Sequence, residues 1–298
     1  MERDSFIYKA RRKIQVVAHK LFSNEFMSKL YFKIVLKEKL DLKNPRTFNE
    51  KLQWLKLYYY PQNDLAVKCA DKYRVREYIK DKEYENTLVP LLGAWDNVED
   101  IDWDSLPNKF VLKCNHGCAY NIVCNDKTEF DRIKAKKQLN TWLKEDFGAF
   151  NIEPHYSNIK KHKITCEEFL GDNLVDYKFF CFNGKPEYLY VLADRKVGDK
   201  AGLGVFKADT YEKLNVVRCD EKPLERVVEK PQVYDKMYEI AQILSRPFPE
   251  SRIDLYCIDN KVYFGEITFF DGSGYMKFDP DEFDFTMGDK FILPERNN

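Results

Sequence analysis

The segment from Arg252 to Thr268 reads as two strands joined by a short turn at Asp259-Asn260-Lys261. With the turn centred on Asn260, Asp254 lies opposite Glu266 and Arg252 lies opposite Thr268. Side chains alternate along a strand, so these four share one face, while Ile253, Leu255 and Cys257 point the other way, toward a core. Two carboxylates directly opposed across a strand pair sit about 5 Å apart at Cβ and repel each other. Something must neutralise them. Mg²⁺ suits the pair, because it takes one or two carboxylates together with substrate phosphates. Arg252 suits a phosphate or a developing oxyanion. The plainer alternative is a surface strand pair in which Arg252 bridges either acid. Register decides the matter, since a slip of one residue sends half of these side chains to the opposite face. Phe270-Asp271-Gly272-Ser273-Gly274-Tyr275 follows. It is a flexible turn suited to bringing backbone amides near an anionic substrate, or an ordinary glycine-containing loop.

These residues need a frame to hold them. A chain of 298 residues with 44% hydrophobic and 33% charged content is long enough for two lobes, each with a core. Its 22 Phe and 19 Tyr predict large core and interface side chains rather than a cofactor box. Lys plus Arg equals Asp plus Glu at 49 each, so no overall field points to nucleic acid, and no RNA- or DNA-binding motif is present. No apolar run approaches the roughly 20 residues of a membrane span, and no secretory signal is legible, which makes the cytoplasm the default location. The eight Cys include no C-x-x-C pair and read as reduced, mostly buried thiols. Cys114, His116, Cys118 and Cys124 cluster, but their spacing matches no standard zinc pattern.

Along the chain, residues 1–40 look like two helices with a basic bias, and Phe6, Ile7, Ala10, Ile14, Val17 and Leu21 recur at helical spacing. Such helices either pack on the body with a solvated basic face or touch an anionic membrane surface. Thr47 and Glu50 form a capping box, predicting a helix that ends near Pro61. Another helix is expected from Asp64 to Lys82, then a short extended segment at 88–92 and an acidic loop at 95–106. Strands are expected at 110–113 and 121–124 around the loop 114–120. A helix over about 128–146 comes next, then strands at 164–170, 176–182 and 188–194. Asn183-Gly184 is a two-residue hairpin turn. Residues 196–230 carry loops and a strand pair, and 232–245 a helix. Helices first, then antiparallel pairs interrupted by helices, is an α+β order.

The stretch Arg252-Ile253-Asp254, Glu266-Ile267-Thr268 and Gly272-Ser273-Gly274 resembles the metal-binding end of D-alanine–D-alanine ligases of the ATP-grasp superfamily. More closely, the chain from about residue 40 onward resembles the TupA-like ATP-grasp family, named for a teichuronopeptide biosynthesis protein. The segments that carry this are Asn44 to Trp54, Ala70 to Arg76, Phe110 to Gly117 and Asp176 to Pro186. The resemblance implies an ATP-grasp fold, α+β, with the nucleotide held between two lobes. It implies divisions into a helical segment 1–60, an N-terminal lobe 61–95, a small lobe 96–165 with a phosphate-covering loop, and a C-terminal lobe 166–298 with the metal site.

The same resemblance implies roles. Asp254, Glu266 and Thr268 would bind Mg²⁺, with Thr268 standing where the superfamily usually has Asn. Arg252 and Arg195 would flank the reacting centre. Lys113 and Lys178 would hold ATP phosphates, under a loop containing His116 and Gly117 in which Cys118-Ala119 replaces the usual Ser-Gly. Glu167, Glu168, Phe169 and Leu170 would receive adenine, Asp176 would lie near the ribose, and Ser273 and Gly274 would meet the substrate. Asp71 and Lys72 match a short signature of the N-terminal lobe. The implied reaction joins a carboxylate to an amine through an acylphosphate, the acid being a hexuronic acid of a surface polysaccharide or an amino acid destined for one. A glycosyltransferase is the alternative from another class, with Asp102-Trp103-Asp104 or Asp279-Pro280-Asp281 as its metal motif. A sugar kinase and a non-catalytic ATP binder complete the range. Work at the inner face of the cell membrane fits the basic N-terminal helices, and the sequence is silent on oligomeric state.

Overall fold

The computed structural model describes residues 15, 17–19, 21–194 and 200–296. Thr47 accepts from the Glu50 amide and the Glu50 carboxylate reaches back to the Thr47 N–H, so the helix Phe48–Tyr58 begins where the capping box puts it. This helix buries Phe48, Leu52 and Leu55, and also Asn49, Gln53 and Lys56. Carbonyl groups meet those three polar side chains. Asn49 Nδ2 donates to Met276 O at 2.8 Å, Gln53 Nε2 to Ser273 O and Gly274 O at 2.9 Å each, and Lys56 Nζ to Ser273 O at 2.7 Å. The helix thereby grips the turn that follows the last hairpin.

Residues 64–82 form two helices rather than one, Asp64–Ala70 and Val75–Asp81. The Asp71 carboxylate accepts from the amides of Tyr73 and Arg74 at 2.8 and 3.1 Å, taking donors that a continuing helix would use. The helix expected over 128–146 is shorter, Arg132–Leu143, and Phe147–Asn151 and Pro154–Ser157 follow it. Of the two helices expected before residue 40, Asn24–Val35 is described, whereas Phe6, Ile7, Ala10 and Ile14 lie outside the described residues.

Strands β1 (Leu91–Trp95), β2 (Phe110–Cys114), β3 (Asn121–Cys124) and β4 (Ile164–Glu168) make an antiparallel sheet in the order β1-β4-β2-β3. This sheet draws β1 from one side of the division expected at 95, and β4 spans the one expected at 165. A second sheet is built from β5 (Asp176–Phe182), β6 (Lys185–Ala193), β7 (Gly202–Lys207), β9 (Lys222–Pro223), β10 (Glu250–Ile258) and β11 (Lys261–Thr268), in the order β11-β10-β5-β6-β7-β9. Among its described strand pairs β7–β9 alone is parallel, and Leu88 adds an isolated parallel bridge to Phe264 of β11. Strands β8 (Val217–Arg218) and β12 (Phe278–Asp279) pair apart from it. The β5–β6 turn is Asn183-Gly184, both with positive φ, as the sequence predicts. Helix Tyr234–Ser245 packs on β5, β6 and β10 through Met237, Ile240, Ala241 and Leu244, and Ile253 and Leu255 of β10 are fully buried. Antiparallel sheets with helices between them form the α+β class expected.

Candidate active site

Strands β10 and β11 pair Asp254 with Glu266 and Arg252 with Thr268, the register read from the sequence. The route to it differs. The turn has two residues, Asp259 and Asn260, with φ of 49° and 58°, and Ile258 pairs with Lys261. The register then shifts between Asp254 and Leu255, leaving Gly265 as the extra residue of a bulge. A Cβ at Gly265 would lie 2.9 Å from the Tyr256 ring and 3.0 Å from the Asp254 carbonyl oxygen, so the close approach needs glycine.

Charges on this face are knitted together. Arg252 forks onto Asp254, Nε to Oδ1 and Nη2 to Oδ2 at 2.7 Å each, the bidentate geometry a guanidinium favours. It also donates to Asp271 and, at 3.1 Å, to Thr268 Oγ1. Asp271 is shared with Arg218. Lys178 donates to Asp254 Oδ2, the oxygen that Arg252 Nη2 also bonds, and Lys72 donates to Glu266 Oε2 at 2.8 Å. Burial opposes ionisation of Glu266, but Lys72, Lys178 and Arg252 override it and hold its carboxyl well below the usual carboxylate range. Glu266 is therefore an anion at neutral pH.

A cleft of about 290 Å³ opens over this face, lined by residues of both sheets. Lys72, Arg76, Lys113, Glu167, Asp176, Lys178 and Glu266 line it, with Val75, Leu88, Tyr256 and Phe264 as an apolar wall. That volume is near the small end of the roughly 300–1,000 Å³ range of ligand sites. Lys113 donates to Glu167 across the paired strands, and Arg76 approaches the same carboxylate at 3.4 Å. Lys72 belongs to the Asp71-Lys72 signature, which is structural or touches substrate, and Arg76 carries no role in the sequence; their place beside Glu266 and Glu167 comes from contacts 194 and 91 residues apart. Asp271 and Arg218, which steady Arg252 from behind, had no assigned role either.

The oxygen donors suit a hard divalent cation, though unequally. The Glu266 side chain is 31% exposed toward the cleft, whereas both Asp254 oxygens are occupied by Arg252 and Lys178 and that side chain is 3% exposed. Asp254 Oδ2 would join Glu266 as a ligand more readily once Lys178 moves off it. Thr268 Oγ1 donates to Glu266 Oε1 at 3.3 Å, which turns the carboxylate without offering a third anion. Among the described residues no group of three or more His, Cys, Asp or Glu could hold a metal alone, so phosphate oxygens would have to complete the shell.

Other expected residues sit elsewhere. His116 is buried, bonds the Trp142 carbonyl through Nε2 at 2.9 Å and stacks on His162, so its imidazole serves the base of the loop. Gly117 packs under Phe147, 2.9 Å from where a Cβ would lie. Asn115 ties the loop down: its amide and side chain bond residues 161–163, and its carbonyl accepts from the Lys72 amide at 3.1 Å. Glu168, Phe169 and Leu170 lie at and beyond the end of β4, outside the cleft wall; Glu168 is exposed and Lys109 sits over the Phe169 ring. Ser273 and Gly274 are held against Gln53 and Lys56, and Ser273 also donates to Glu153. Arg195 lies outside the described residues. Asp102 and Asp104 are exposed in a loop where Asp104 meets Arg132, and Asp279 and Asp281 are exposed at β12, so neither acid pair borders the cleft.

Residues 50–292 match the protein family described as TupA-like ATPgrasp. The chain belongs to this family. Its fold is accordingly the ATP-grasp fold. Among solved structures, it is similar to a D-alanine–D-alanine ligase from Bacillus anthracis complexed with ATP, at 13% identity and TM-score 0.41 over 68% of this chain and 54% of that one. An L-amino acid ligase from Bacillus licheniformis matches at 13% identity and TM-score 0.44, over 70% of this chain and 44% of the other. An N5-carboxyaminoimidazole synthase from Aspergillus clavatus, in complex with ADP and an aminoimidazole ribonucleotide, matches at 10% and 0.41, over 69% and 45%. This TupA-like chain thus spans about half the length of the solved structures it matches, and likenesses this distant carry no argument about chemistry. No curated protein matches it.

Proposed function

We propose that this TupA-like protein is an ATP- and Mg²⁺-dependent carboxylate–amine ligase acting on a carboxylate of a surface polysaccharide or of its precursor. The family supports ATP as the nucleotide. The observation that carries the reading is the cleft in which Lys72, Lys178 and Arg252 hold Glu266 ionised while Lys113, bonded to Glu167, lines the same wall. Phosphate cations and a metal-grade carboxylate meet there on one surface. The apolar wall of Val75, Leu88, Tyr256 and Phe264 suits a base ring.

The chemistry has two steps. A substrate carboxylate oxygen takes the γ-phosphoryl group and ADP leaves. An amine then attacks the acyl carbon, phosphate leaves with the C–O bond, and the amine's proton passes to solvent. Lys113 and Lys178 would hold phosphate oxygens, and Arg252, fixed by Asp254 and Asp271, would face the charge that develops on the acyl oxygen. Mg²⁺ on Glu266, and on Asp254 once Lys178 turns to phosphate, would supply charge neutralisation. Four basic side chains (Lys72, Arg76, Lys113, Lys178) face three acids (Glu167, Asp176, Glu266) on the cleft wall, an excess of one positive charge. That excess falls well short of a bare triphosphate's charge, so nucleotide and metal should bind together.

Thermal unfolding with ATP, with and without Mg²⁺, tests the first half. ATP with Mg²⁺ should raise Tm by several degrees, ATP alone by little, and Glu266→Ala should abolish the Mg²⁺-dependent part. Full retention of that part in Glu266→Ala would refute the metal assignment. Release of ADP and phosphate only when a uronic acid and an amine are both present tests the second half; stabilisation by a nucleotide sugar with indifference to ATP would replace the ligase by a glycosyltransferase.

A further inference from the structure

Seven of the thirteen large apolar side chains exposed among the described residues fall between positions 17 and 35. On the helix Asn24–Val35, Phe26, Leu30 and Ile34 are four apart and line one side. Phe22 stacks on Phe26 at a centroid distance of 4.9 Å and extends the stripe. These four are 49, 48, 40 and 52% exposed in chain order. The helix has already made its contact with the body on its other side, where Met27, Ser28 and Phe32 are buried and Phe32 meets Tyr275 edge-on. Among the described residues the stripe is thus left uncovered.

Charge says what would cover it. Lys29, paired with Glu25 at 2.5 Å, and Lys33 are exposed and lie beside the stripe on the helix, and exposed Lys37 and Lys39 follow it. Residues 1–39 hold ten Lys and Arg against four Asp and Glu, a net +6, in a chain whose total is zero, which leaves −6 for the remainder. An exposed stripe of aromatic and aliphatic side chains, in an N-terminal segment with this positive excess in its sequence, matches an anionic lipid surface better than the mixed-sign rim of a protein partner. No described helix is long and apolar enough to cross a membrane, so the contact would lie in the interface plane.

We propose that Phe22, Phe26, Leu30 and Ile34, flanked by Lys29 and Lys33, dock this protein on an anionic bilayer. The full chain should sediment with vesicles of phosphatidylcholine containing phosphatidylglycerol, and stay in solution with phosphatidylcholine alone. Added salt should weaken sedimentation, because the lysine contribution is screened. Phe26→Glu with Leu30→Glu should lower binding about tenfold or more while Tm stays near that of the parent, since both side chains are exposed. Lys29→Glu with Lys33→Glu should lower binding to a similar degree and flatten its salt dependence. The proposal fails if the parent ignores anionic vesicles at low salt, or if both variant pairs bind as the parent does. It also fails if the stripe instead makes a dimer, seen as a sizing-column shift to monomer in Phe26→Glu/Leu30→Glu without vesicle binding by the parent.

Discussion

Ala119 has a φ of 55°, in the left-handed region where a Cβ crowds the backbone, and it lines the cleft from the loop between β2 and β3. An L-residue pays about 1–2 kcal/mol for that conformation. The family resemblance expects glycine at this position, so the structure gives the departure a physical meaning. Ala119→Gly should raise unfolding stability by about 0.5–1 kcal/mol, the relief of strain exceeding the added freedom of the unfolded chain. Urea denaturation checks this, and a less stable variant would mean that the alanine methyl makes contacts worth more than the strain. Cys118 shows the other half of the substitution. Its thiol sits 3.2 Å from the Tyr156 hydroxyl, and burial pushes it up to about 11, so it is a neutral packing group.

At the scale of elements, the last β-ribbon carries most of what the sequence makes legible. Alternation put Arg252, Asp254, Glu266 and Thr268 on one face, and the structure places them there. Composition does not reveal that a two-residue turn and a bulge replace the simple three-residue tip, because either route gives the same spacing between the acids. Gly265→Val tests the bulge. A branched side chain would strike the Tyr256 ring and the Asp254 carbonyl, costing about 1–3 kcal/mol of stability. It should also erase the Mg²⁺-dependent Tm shift at temperatures where the variant is still folded; a folded variant that keeps the full shift would show that the bulge does not position Glu266. The contact between Lys72 and Glu266 was beyond reach for another reason. Sequence pattern reports neighbours along one element, and this pair joins a helix–helix break at Asp71 to β11. The same limit explains the single helix expected over 64–82: helical spacing is visible in the sequence, whereas the competing turn depends on which way one carboxylate points.

For the whole molecule, buried titratable groups set how stability answers to pH. Burial, and then the neighbouring His162, depress the His116 imidazole to about 4 from an ordinary 6.5. Between those values the unfolded chain binds a proton that the folded chain refuses. His116 therefore contributes fully above pH 6.5, and its contribution is lost as pH falls toward 4. Buried carboxyls act in the opposite sense. Burial raises Asp284 to about 6 and Glu250 well above its ordinary value, so the folded chain holds protons that the unfolded one lacks until lower pH. The net slope mixes both kinds, but a variant isolates one. Relative to its parent, His116→Gln should gain about 2 kcal/mol on going from pH 7 to pH 5, read from paired urea curves. A constant difference between the two proteins across that range would mean that His116 titrates as in the unfolded chain.

The grip of Asn49, Gln53 and Lys56 on the carbonyls of Ser273, Gly274 and Met276 has a consequence for synthesis on the ribosome. Donor and acceptor are separated by 217 to 227 residues. At a translation rate of about 5–20 residues per second, the helix waits on the order of 10–40 s for the turn that satisfies it. Throughout that interval an amide, a second amide and an ammonium must stay hydrated, so the nascent helix cannot settle into its final seat. Seating of this helix and of the turn after the last hairpin is thus tied to the arrival of the late segment, and a partly made chain would hold the cleft beside that hairpin unfinished.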